Sequence, residues 1–253
     1  MTLKTYQYIE GSYNHLQSTR PSALEIIPEV IKLVQPTSVI DLGCGIGVWL
    51  SVFQELGVEN VTGVDGHWVD QKKIKIPKEN FISADLNQTF SLKKEFDLAI
   101  SVETAEHLSA DSAETFVESL IKLAPVILFS AAVPFVPGNM HINCQWPSYW
   151  AKHFSNRGYV AIDVIRSKLW SNPRVMWCYS QGILLFVKKE LLSNYPLLEA
   201  EKVESDLTQL DVIHPTYYLK IVKELNYEKT LRKNSSFLSK KNMFKKFKNF
   251  VRA

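Results

Sequence analysis

A chain of 253 residues, 46% of them apolar, is long enough for one large α/β domain and too apolar for a disordered polymer. Its three cysteines, Cys44, Cys144 and Cys178, include no Cys-x-x-Cys pair, which argues against a disulfide framework or a structural zinc site. The net charge of +3 is unevenly placed: residues 229–253 hold nine basic and no acidic side chains, leaving 20 basic and 26 acidic on residues 1–228, a net of −6 that makes nucleic acid an unexpected partner for the domain.

In chain order, the polar stretch Met1 to Gly11 lacks the apolar run of a secretory signal. Leu24, Ile27, Ile31 and Val34 predict a helix over 21–34, kinked or shortened at Pro28. Ser38 to Leu42 reads as a buried strand ending in glycines, and Ile46 to Leu56 as a helix stopped by Gly57. Strands are expected at 60–65, 80–86, 96–102 and 126–132, with a helix over 109–123. Pro147 to Asn156 is a proline-started helix closed near Gly158. Strands at 159–165 and 182–187 follow, joined hairpin-fashion through the turn-rich Asn172-Pro173 segment. The apolar stretch Ala124 to Pro137 is too short to span a bilayer. Strands alternating with helices imply a doubly wound, mostly parallel sheet. The expected divisions are a lid segment at 1–20, a catalytic domain at 21–190 and a helical extension at 191–253. The expected location is the cytoplasm; the sequence carries no signal for oligomeric state.

The strongest motif is Asp41-Leu42-Gly43-Cys44-Gly45-Ile46-Gly47. Glycines at alternate positions let the backbone approach a ligand after the first strand. A diphosphate cofactor favours Gly-x-Gly-x-x-Gly, whereas here the third glycine comes one residue early. Asp41 would repel a diphosphate and suits the ammonium group of a methionine tail, which favours S-adenosylmethionine (SAM) over a nicotinamide or flavin. Asp65 ends the second strand, where an acid bonds a ribose diol. Asp85 suits the adenine amino group, with the Leu86 backbone N–H at the ring.

These residues, in this order, resemble a class I SAM-dependent methyltransferase. The blocks Gly63 to Val69, Ser101 to Leu108, Phe129 to Pro134 and His141 to Trp150 are similar to a bacterial branch acting on small molecules in surface-glycan and secondary-metabolite biosynthesis. The likeness covers roughly residues 20–188. It departs at Cys144, where a glutamate is expected, and at Gly182 after Gln181, where an asparagine is expected. It implies a Rossmann-like seven-stranded sheet of order 3-2-1-4-5-7-6 with strand 7 antiparallel. It also implies SAM as cofactor, held by Asp41, Gly43, Gly45, Gly47, Asp65, Asp85, Leu86 and Ser101.

The segment after strand four faces the methyl group, because ligands lie outside the carboxyl ends of such strands. Glu103, Glu106 and His107, at spacings of three and four, would share one helix face. His107 is the candidate base for an acceptor hydroxyl, with His141 as its catalytic companion. Asn143, Trp146, Glu103, Tyr179 and Gln181 are candidates for the acceptor pocket, while Trp150 is read as packing. Tyr8, Tyr13 and His15 fall in the lid segment. Glu103, Glu106, His107 and His141 also resemble the divalent-metal set of methyltransferases acting on the 3′ ends of small RNAs, which makes Mg²⁺ or Mn²⁺ a second cofactor expectation. Three functions stay open on the sequence: methyl transfer to a small hydroxylated acceptor such as a sugar, metal-assisted RNA 2′-O-methylation, and SAM binding without catalysis. In the tail, Phe244, Phe247, Phe250 and Val251 repeat among lysines, so residues 237–253 are read either as peripheral contact with the inner face of the membrane, as a solvated tail, or as an RNA contact.

Overall fold

The computed structural model describes residues 10–201 and 206–250, with side chains from 13 to 201 and from 206 to 232. Tyr8 and the side chains of the basic tail at 237–253 lie outside the described residues.

Two helices come first, α1 (Glu10–Ser18) and α2 (Arg20–Val34). Helix α2 buries Ala23, Ile26, Ile27, Val30, Leu33 and Val34, a stripe rotated from the expected one. Pro28 neither stops nor shortens it. The residue sits on the exposed side, where water can satisfy the carbonyl that a proline leaves unbonded. The chain then alternates β1 (Ser38–Leu42), α3 (Val48–Glu55), β2 (Asn60–Asp65), β3 (Phe81–Ser83), β4 (Leu98–Val102), α4 (Ala113–Ile121), β5 (Val126–Ser130), α5 (Pro147–Ser155) and β6 (Tyr159–Ile162). Short helices α6 (Ile165–Leu169) and α7 (Trp177–Gly182) lead into β7 (Leu184–Lys188). They replace the simple turn expected between the last two strands.

The strands form one seven-stranded sheet of order β3-β2-β1-β4-β5-β7-β6, as the resemblance implies. Strands β1 to β5 pair in parallel, and β7 runs antiparallel to both β5 and β6. Strands β1 and β5 are buried at every residue, the mark of a sheet covered on both faces. One apolar layer joins α2, α3 and α6 to the sheet through Ile26, Phe53, Ile165 and Leu185. The other joins α4 and α5 through Phe116, Trp150, Phe154 and Phe186. Within it the Phe154 and Phe186 rings stack at 4.1 Å.

The compact domain continues to Val212, beyond the expected boundary at 190. The reason is polar as well as apolar. Leu198, in α8 (Pro196–Glu199), and Leu210 are buried. Asp211 accepts from the Ser148 backbone N–H at 2.8 Å and its hydroxyl at 2.7 Å, capping the first turn of α5 from a distance in sequence. Buried Arg166 pairs with Asp163 at 2.6 Å and donates to the carbonyls of Gln181 (3.0 Å) and Leu210 (2.7 Å). Residues 213–253 form a second unit built on the helix α9 (Pro215–Phe250). Among the described residues no helix is long and apolar enough to cross a membrane.

Candidate active site

The first half of the site grows out of the turn after β1. Gly43 has φ +94°, and a Cβ there would fall 2.2 Å from the Thr104 side chain, so the close approach of the β1 and β4 loops requires glycine. Gly47, also left-handed at φ +78°, is the residue from which α3 starts. The result is a bare backbone corner with a helix N-terminus behind it. Asp41 lies within β1 and is 4% exposed; Asp65 ends β2 and is 5% exposed. Asp65 accepts from the Gly45 N–H at 2.7 Å and the Gly66 N–H at 2.6 Å. Burial outweighs these bonds and raises its pKa to about 6. Burial, and then the Asp65 charge, push Asp41 well above the usual carboxylate range. No ion pair among the described residues involves either acid. Two buried acids without a basic partner beside a side-chain-free turn suit a ligand that is cationic at one end and carries a diol at the other. The residues present therefore fit SAM.

Other expected cofactor contacts are placed differently. Strand β3 ends at Ser83, so Asp85 lies two residues beyond it, exposed, and its carboxylate closes a turn by accepting from Asn87 N–H at 3.0 Å. Leu86 is buried at 6% exposure. Ser101, in β4, is wholly buried, and its hydroxyl has no hydrogen-bond partner.

The second half is built by the loops after β4 and β5. Glu103, Glu106 and His107 do not share a helix. Glu103 has a left-handed backbone (φ +53°), and only Ala105–His107 form a 3₁₀ turn. The break arises from pairing across strands: Glu103 N–H donates to the Ser130 carbonyl, and the Ser130 hydroxyl donates to Glu103 Oε1 at 2.8 Å. Glu106 is turned inward and 1% exposed. Its carbonyl accepts from the N–H groups of Ile142 (2.9 Å) and Asn143 (3.0 Å), which ties the two loops together. Neither Glu106 carboxylate oxygen has a side-chain or backbone partner at hydrogen-bonding distance. Burial first, then the Glu103 charge, raise the Glu106 pKa well above the ordinary value, and burial raises Glu103 as well.

The two histidines meet edge to face, centroids 4.9 Å apart. His107 Nδ1 lies 3.3 Å from the Met140 carbonyl and His141 Nδ1 3.2 Å from that of Val136. A carbonyl only accepts, so each Nδ1 is the donor in these two contacts. Burial and the neighbouring His141 lower the His107 pKa to about 4, so the ring is neutral at physiological pH. Gly138 is required here as well: a Cβ would fall 2.1 Å from His141 Nε2. Glu106, His107 and His141 bring one ligand atom each within 4.8 Å of one another. Glu103 of the expected four-residue metal set stays outside this cluster, its carboxylate held by Ser130.

Asn143 stands beside them at 2% exposure, its Oδ1 accepting from Gln145 at 3.0 Å and its buried Nδ2 without a partner. Cys144 Sγ is 3.7 Å from His141 Nδ1, and burial raises its pKa. Tyr179 and Gln181, expected at the acceptor pocket, are 4% and 2% exposed. Tyr179 packs edge-on against Trp49 at 5.2 Å within the core. Trp146 is on the surface at the start of α5, and Trp150 is packed, as expected. Tyr13 is buried, its hydroxyl accepting from Asp70 N–H at 3.0 Å, and His15 is exposed.

Sequence reasoning passed over Thr104, Ser130 and Asn87. Thr104 fills the space above Gly43, and Asn87 Oδ1 accepts from Ser109 N–H (3.0 Å) and the Ser112 hydroxyl (3.1 Å), bracing the segment after His107. Small polar residues give no periodic signal, and the only available cue was proximity to a motif. Trp68 was overlooked too: a Cβ on Gly66 would fall 2.2 Å from its indole.

Residues 15–130 match the family profile described as a methyltransferase domain. DesVI from Streptomyces venezuelae shares the fold at TM-score 0.51 and 12% identity, over 72% of this chain and 99% of that one. A candidate O-methyltransferase from Nostoc punctiforme aligns at TM-score 0.51 and 12% identity, over 70% of this chain and 58% of that one. No curated protein sequence matches the chain. With the strand order and the glycine corner, the match over residues 15–130 supports a SAM-dependent methyltransferase domain of the class I fold.

Proposed function

We propose that the enzyme methylates a hydroxyl group of a small acceptor, a sugar or surface-glycan precursor, by direct in-line transfer. The observation that carries this reading is the His107–His141 pair, edge to face at the carboxyl ends of β4 and β5, with His107 held neutral by burial. SAM supplies an electrophilic methyl group on a sulfonium centre. His107 takes the acceptor hydroxyl proton as its oxygen attacks, work worth about 10²–10⁴ in rate. Asn143, with an unused buried N–H, and Glu103 orient the acceptor's other hydroxyls. Holding acceptor and donor in line supplies much of the remaining acceleration. The net −6 of residues 1–228 disfavours an RNA acceptor.

A second reading is favoured by the unsatisfied Glu106 carboxylate. One carboxylate and two imidazoles at this separation suit Mg²⁺ or Mn²⁺, which would polarise an acceptor hydroxyl. In that case His107 is a ligand and cannot also be the base. Turnover of SAM against a panel of nucleotide sugars, with and without chelator, separates the two. Turnover indifferent to chelator supports His107 as base; turnover abolished by chelator and restored by added Mn²⁺ supports the metal. No turnover with any sugar would remove the proposed acceptor class. The basic tail at 237–253 fits reversible attachment to anionic lipid at the inner membrane face, and co-sedimentation with phosphatidylglycerol vesicles tests that reading.

A further inference from the structure

The loop between β5 and α5 supplies His141 and Asn143 to the site, and it also carries an apolar surface. Among the described residues of the compact domain, six large apolar side chains stand exposed. Four of them belong to this loop: Phe135 (91% exposed), Ile142 (59%), Met140 (41%) and Trp146 (36%). Apolar residues exposed singly are ordinary on a protein surface, whereas a cluster of them marks a contact site. The loop is also uncharged. From Leu123 to Ala151 there is no Asp, Glu, Lys or Arg, in a chain where those residues make up 22%. Burial of β5 accounts for the first part of that run and leaves the loop unexplained. Phe135 (φ +68°) and Met140 (φ +59°) hold left-handed backbone, where glycine or asparagine is the unstrained choice. A bulky apolar residue that is both strained and exposed adds nothing to the core, and such strain gathers where a ligand is met. The loop is fastened to itself: Gln145 N–H donates to the Ala132 carbonyl and Val136 N–H to that of Val133, each at 3.2 Å. Its apolar side chains stand beside the chemistry. Met140 and Ile142 flank His141 in the chain; the Met140 carbonyl accepts from His107 Nδ1 at 3.3 Å, and Ile142 N–H donates to the Glu106 carbonyl at 2.9 Å. Burial alternates along this run, with Met140 and Ile142 outward and Asn143 inward, so one stretch of backbone separates a polar pocket from an apolar rim.

We propose that this rim is a subsite for the acceptor, which is an amphiphile: a polar head that is methylated, joined to an alkyl-type chain that lies over Met140, Ile142, Phe135 and Trp146. The inference rests on the His107–His141 pair marking the acceptor side, and the experiment separates the two. Calorimetry of the full chain, saturated with S-adenosylhomocysteine (SAH), the demethylated product, compares methyl with octyl glycosides of glucose, galactose and mannose, the octyl forms kept below their micelle concentration. Turnover of SAM is followed with the same compounds. Each methylene removed from water is worth up to about fourfold in affinity, so a chain resting on an open rim should bind at least about tenfold more tightly than a methyl group. The double variant Met140→Asn, Ile142→Thr keeps every backbone bond and places asparagine where left-handed backbone suits it. In it the octyl-to-methyl affinity ratio should fall to about one. Equal affinity for the two glycosides in wild type overturns the proposal, as does an octyl preference that the folded double variant retains. A chain effect seen only when the glycoside is embedded in phosphatidylglycerol vesicles also overturns it, in favour of contact between the loop and a bilayer. Octyl glycosides that bind at the rim and are not methylated support the subsite while removing a sugar as the methylated head.

Discussion

The donor half and the acceptor half of this site are made in different ways. The donor half is one local turn. Its glycines, Asp41 and Asp65 belong to two neighbouring strands, and the geometry follows from left-handed backbone at Gly43, Gly45 and Gly47. The acceptor half is assembled across long sequence distances. Glu106 is linked to residues 142 and 143, Glu103 to Ser130, and His107 to Met140, a non-glycine residue at φ +59° like the strained Glu103. A cofactor common to many enzymes is met by backbone and fixed charge. An acceptor particular to one enzyme is met by loop side chains, which can be exchanged without disturbing the sheet.

The largest expected effect tests whether the halves are truly joined at Gly43. Gly43→Ala should abolish SAH binding, by more than 100-fold in calorimetry, and lower the melting temperature, since both the backbone angle and Thr104 oppose the methyl group. Adding Thr104→Gly should recover part of the stability by removing the clash, though not the strain of φ +94°. An unaltered SAH affinity in the single variant would break the comparison.

Next comes His107→Ala, which should cut turnover by about 10²-fold or more while leaving SAH affinity unchanged. A loss below threefold would reject the base. A parallel loss of SAH binding would show that the two halves cannot be separated.

A pH series sharpens the donor side. Asp65, with its pKa raised to about 6, must be ionised to accept the ribose hydroxyls. The binding-competent carboxylate therefore predominates above pH 6 and is depleted as pH falls through it. SAH affinity should drop about fivefold between pH 6 and pH 5. Asp65→Asn should bind weakly at every pH and flatten the profile; a wild-type profile flat from pH 7.5 to 5 would contradict the assignment.

The smallest effect concerns neither half. Asp211→Ala removes the distant cap of α5 and should cost about 1 kcal/mol in a denaturant titration, with SAH affinity unaltered. A change in turnover beyond twofold would show that residues 191–212 reach into the chemistry.

How much was legible in advance follows the same division. The alternation of strands and helices, the glycine corner and the end of β2 at Asp65 could be read directly, because each rests on neighbours in sequence: apolar runs, alternate glycines, an acid at a strand end; the strand order came only through the family resemblance. The inward turn of Glu106, the meeting of His107 with His141 and the closeness of Cys144 to that pair were readable only as residue types. The helical spacing of Glu103, Glu106 and His107 misled, since inter-strand bonds to Ser130 outcompete a local helix. Pro28 misled in the opposite direction, because the stripe of apolar residues around it packs firmly enough to carry the helix through.

By itself, the sequence determined the layered α/β sheet and the cofactor corner, whose physics is local: backbone freedom at glycine and charge at a strand terminus. Tertiary structure alone decided which acids lose their water, which histidine nitrogen faces a carbonyl, and that an indole covers Gly66. Burial and hydrogen-bond partners arise only when segments far apart in the chain are brought together.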